Sequence, residues 1–138
     1  MKHVLMFFGL ALVMFTLSVN AQEQPTRYKK QHLKKIEQQI VSALKNDNPE
    51  ILNSAAATIR QLEMTYPEES FDPFVKPLIH ILKDEKADAR TRLLVALALD
   101  GLHSDEGDDA LMEIAKSSSN KSLQDLCSAL TYKTESKR

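Results

Sequence analysis

One cysteine, no tryptophan and three glycines in 138 residues exclude several ways of building a protein. A lone thiol, Cys127, cannot close an internal disulfide, so stability has to come from packed apolar surface. Scarce glycine beside abundant alanine and leucine favours helices over strands. The common catalytic spacings are missing as well: there is no HExxH, GxSxG, GxGxxG, P-loop or CxxC. The chain therefore reads as non-enzymatic, with no cofactor. Charge of either sign is not in excess. With 18 basic and 19 acidic residues the formal net charge is −1, which gives no general reason to expect nucleic acid as a partner.

What is present begins with an export signal. Lys2 and His3 form a short basic start, an apolar run extends from Val4 to Leu17, and Val19-Asn20-Ala21 places small residues around a cleavage point. Residues 1–21 are expected to be a cleaved signal peptide, because the apolar run is short against the roughly 20 residues that a spanning helix needs. Removing Lys2 with that segment leaves 17 basic against 19 acidic residues. Residues 22–26 read as a flexible leader and 133–138 as a polar tail. The product is expected in the periplasm or the medium, and it meets a membrane only if the signal segment is retained.

The residues between, 27–132, carry the apolar spacing of six helices. The first, from Arg27 to Lys45, is expected to bury Tyr28, His32, Ile36, Ile40 and Ala43 or Leu44, supported by Leu33. Asn48 and Pro49 supply a cap and a first residue for the second, which runs to about Tyr66 and buries Ile51, Ala55, Ile59, Leu62 and Tyr66. Asp72-Pro73 repeats that start for a third, with Phe74, Val75, Leu78, Ile79 and Leu82 inside and a kink at Pro77. The fourth, about Asp88 to Leu102, contains the wholly apolar run LLVALAL, so it must be covered on more than one side. Leu97, in that run, is expected to be enclosed. After an acidic loop, His103 to Asp109, a short fifth helix carries Leu111, Ile114 and Ala115, and a sixth buries Leu123, Leu126, Cys127 and Leu130.

These helices repeat. The stretch from Asp47 to Leu62 superposes on Ala87 to Leu102 with an offset of 40 residues, and Ser119 to Thr131 follows at about 32. A helix pair recurring at this period marks an α-solenoid. On Pro77 in the first helix of the middle unit, and on Arg92 followed by Val95-Ala96 and Ala98-Leu99, the chain resembles the HEAT-repeat family. That resemblance implies an all-α fold: a short right-handed α-solenoid of three HEAT-like helix pairs, with degenerate outer units. It also implies that Arg92 is the early arginine which in such repeats links neighbouring units. Its counterparts here are Leu52 and Gln124, so the linkage does not recur along the chain.

The expected role is that of an exported scaffold or adaptor that offers the second helices of its pairs to another protein, with Asn53, Arg60, Arg92, Asp100, Gln124 and Asp125 as candidate contacts. Two other readings remain open. His103, Asp105, Glu106, Asp108 and Asp109 could hold a hard cation and make a metal-binding or enzymatic module, although acids at a helix start need no ligand to explain them. Alternatively, an uncleaved first segment would make a membrane-held structural protein. The first helix is basic, with Lys29, Lys30, Lys34 and Lys35 on one face, whereas Asp100 to Glu113 is acidic. The chain is expected to be a monomer whose self-association, if any, is weak and removed by salt.

Overall fold

The computed structural model describes residues 27–136. The expected signal peptide (1–21) and leader (22–26) lie outside the described residues. Within them the protein is all-helical, with no strand. Residues 27–43 form α1. It is followed by α2 (Pro49–Thr65), a 3-10 turn (Asp72–Phe74), α3 (Val75–Lys83), α4 (Ala89–Leu102), α5 (Asp105–Ser117) and α6 (Lys121–Glu135). The last of these continues past Tyr132, so Lys133 to Glu135 are its final turn rather than part of a tail. The chain divides after Ile36, and α2 to α6 belong to the second unit, Glu37–Arg138.

Local chemistry sets most of these boundaries. Asn48 accepts from the Glu50 amide at 3.0 Å, Asp88 from that of Thr91 at 3.2 Å, and Asn120 from that of Leu123 at 3.0 Å. Each side chain satisfies an amide that its helix leaves open. The caps of α2, α4 and α6 thus fall at residues 48, 88 and 120, the spacing of the sequence repeat. Ala55, Val95 and Cys127 share one register position and are all buried.

The third helix starts differently from expectation. Phe71, not Asp72, caps the 3-10 turn and Phe74 caps α3, neither with a side-chain hydrogen bond. The α-helical part begins only at Val75, which puts Pro77 in its first turn. There the missing N–H has no intrahelical partner to lose, so the proline opens the helix instead of kinking it.

The buried stripes shift by a residue or two. In α2 they are Leu52, Ala55, Ala56, Ile59 and Leu62, while Ile51 is 38% exposed and Tyr66 half-buried. In α1, Leu33 and Ile40 are buried, as is Leu44 just past its end, but Tyr28 is 73% exposed and His32 is exposed with it. Their rings stack on each other, 6.2 Å apart and 5° from parallel. In α3, Ile81 takes the place expected for Ile79, and in α6 only Leu123 and Cys127 are fully enclosed.

The central element is α4, which packs against α2, α3, α5 and α6. Thr91, Arg92, Val95, Ala96, Ala98 and Leu99 are buried on it, as an apolar helix covered from several sides requires. Leu97 is only half-buried, so the enclosed leucine of this run is Leu99. Around it, Ile59, Phe74, Leu78, Leu82, Leu111 and Leu123 are excluded from water. Besides α4, α3 also touches α5, and α5 packs along α6.

Candidate functional site

The six residues expected to meet a partner do not form one set. Arg92 is 6% exposed, and its Nε donates to the Leu82 carbonyl at 2.9 Å. That carbonyl belongs to the last turn of α3, where helical carbonyls lack intrahelical donors and the dipole favours a cation. Arg92 therefore closes the α3–α4 hairpin and is not a surface contact. Asn53 is half-buried, and its Oδ1 accepts from the fully buried Thr91 hydroxyl at 2.7 Å, which ties α2 to the start of α4. Arg60 and Asp125 are exposed, while Asp100 and Gln124 are half-buried. Asp125 pairs with Lys121 at 2.6 Å on the surface of α6.

The acidic stretch is not a loop. His103 ends α4 in the left-handed region at φ 51, Ser104 caps α5 by accepting from the Gly107 amide at 3.0 Å, and the helix has begun by Asp105. Asp105, Glu106 and Asp108 then lie in a first turn, where negative charge suits the dipole. Among the described residues no three His, Cys, Asp or Glu side chains converge as metal ligands would. A cleft between α5 and α6, lined by Asp108, Asp109, Met112, Thr131, Thr134 and Glu135, has about 30 Å³, room for a water and not for an organic ligand.

A different cluster stands out at the α2–α4 contact. The Oε1 atom of Glu63 is shielded from water and has no hydrogen-bond partner. Its Oε2 lies so close to Gly101 that a Cβ there would overlap it. Burial pushes the Glu63 carboxyl up from 4.5 to about 7; the Arg60 guanidinium pulls it back down, and Asp100 raises it further. Two sequence signals point to this pair. Glu63 continues the buried line Ala56–Ile59 at helical spacing, and Gly101 sits inside an apolar helix, where glycine costs roughly 0.5–1 kcal/mol against alanine. Neither is visible to a search for catalytic spacing.

Cys127 is fully buried. Burial moves its thiol up to about 11, against a lowering by Arg92, so the nucleophilic thiolate is suppressed at neutral pH. Among the described residues no helix is long and apolar enough to cross a membrane. Comparison with family models, with curated proteins and with solved structures finds no match to this chain.

Proposed function

We propose that this chain is an exported, non-enzymatic α-solenoid of HEAT-like helix pairs that serves as a scaffold for another protein. The observation that carries the reading is the pattern of contacts: α4 touches both α2 and α6, while α3 touches α5. Second helices in one row and first helices in another are what stacked helix pairs require. The repeated caps at residues 48, 88 and 120 support the same unit. In a short solenoid the row of second helices is the face that binds, and Arg60, Asp100, Gln124 and Asp125 are the proposed contacts that reach water. Self-association, if present, runs through exposed charge such as the lysines of α1 and is weak and screened by salt.

The test is capture of a partner by the mature chain, repeated with Arg60→Glu and Asp125→Lys in proteins whose helical content is unchanged. A partner lost with these variants supports the reading; one held equally by both rejects these contacts. Export is checked by the amino-terminal residue of the native protein, expected to be Gln22; a product still beginning at Met1 would overturn it.

A further inference from the structure

The carboxyl of Glu63 occupies a place that suits an uncharged group. One oxygen is shielded and unpartnered, and an oxygen cut off from water without a donor disfavours the ionised form of its carboxyl even where the rest of the group meets solvent. The other oxygen rests against Gly101, in space left by the absence of a side chain. From α4, Asp100 adds negative charge; from α2 itself, Arg60 adds positive charge but does not overcome the burial. The seat is thus shaped for the carboxyl and disfavours its charge. The side chain is long and near the end of α2, so it can leave for water without unfolding the helix.

We propose that Glu63 is a proton-operated latch between α2 and α4: protonated, it seats against Gly101; ionised, it withdraws and loosens that contact. A group whose folded value lies above its unfolded one stabilises fully below the unfolded value and loses that contribution as pH rises through the folded value. Here the window opens above about 4.5 and closes near 7. The latch is closed in mild acid and open in mild alkali, the reverse of a carboxylate held by a salt bridge.

Two measurements on the full chain decide this. The side-chain carboxyl of Glu63, followed by carbon NMR and assigned by its loss in Glu63→Gln, is expected to titrate near 7; a midpoint in the ordinary carboxylate range would overturn the proposal. Urea unfolding midpoints of the wild type, Glu63→Gln and Gly101→Ala are then compared from pH 5 to pH 9. The wild type is expected to fall relative to Glu63→Gln as pH rises, the difference separating Glu63 from histidines that titrate in the same range. Gly101→Ala, which fills the seat and expels the carboxyl, is expected to lose that relative fall. Parallel profiles for the wild type and Glu63→Gln would sink the latch, as would a Gly101→Ala profile identical in shape to that of the wild type.

Discussion

Arg92 is enclosed, and what meets its guanidinium is the carboxyl-terminal end of a neighbouring helix. The Nε–Leu82 bond satisfies a carbonyl whose own residue is fully buried, in a turn where the α3 dipole is negative. Removing the donor leaves that carbonyl unpaired, and an unmet buried acceptor costs about 1–3 kcal/mol. Arg92→Met, which keeps most of the stem, is therefore expected to lower stability by about that amount. Urea unfolding measures it, and an unchanged midpoint would mean that water replaces the donor. Resemblance to the HEAT family singled out this arginine as a linker; it links within its hairpin, to α3. Its place on an accessible face did not survive, because Arg92 is buried with its Nε turned to the end of α3.

At the scale of the element, one helix start was legible as a cap. Asn48 caps α2 as expected, the cap expected at Asp72 did not form, and Asp88 and Asn120, not read as caps in the sequence, cap α4 and α6. A cap acts through bonds within a few residues, so it is written locally. Asp88 serves the central helix and also lies 3.4 Å from the Thr91 hydroxyl. Asp88→Ala is expected to cost about 1 kcal/mol and Asp88→Asn, which keeps an acceptor, clearly less. Equal losses in denaturant titrations would show that charge, not the cap bond, matters there. The acidic stretch after α4 was harder. Ser104 is a good cap in sequence too, but the acids behind it read equally as a solvated loop, and only packing of Gly107, Ala110 and Leu111 drew them into a helix. Buried stripes slipped for a related reason. In α2, a line through Ile51 and one through Leu52 both satisfy helical spacing, and the choice is made by the neighbour, not by the helix. For Glu63 only its place on the buried line of α2 is local; its environment is created by Gly101, a residue on a different helix.

Across the second unit, the helices do not share the load equally. Since α4 packs against α2, α3, α5 and α6, while α6 packs against α5 and α4, loss of packing in the two should spread differently. Leu99 on α4 and Leu123 on α6 are both fully buried. Truncating either to alanine removes the same atoms, and each is expected to cost about 2–5 kcal/mol through lost transfer energy and the cavity left behind. The distinction lies in where the loss appears. A defect at Leu99 weakens every contact made by α4, so native-state hydrogen exchange in Leu99→Ala is expected to quicken from α2 through α6. A defect at Leu123 falls on the last element, whose loosening leaves α2 and α3 packed against α4. There exchange is expected to quicken in α6 first, then in α5, and least in α2, following the nearest-neighbour coupling of stacked pairs. Exchange read peptide by peptide with mass spectrometry resolves these patterns. If Leu123→Ala exposed α2 as strongly as α6, the second unit would open as one cooperative body, and the stacked-pair reading proposed for it would fail.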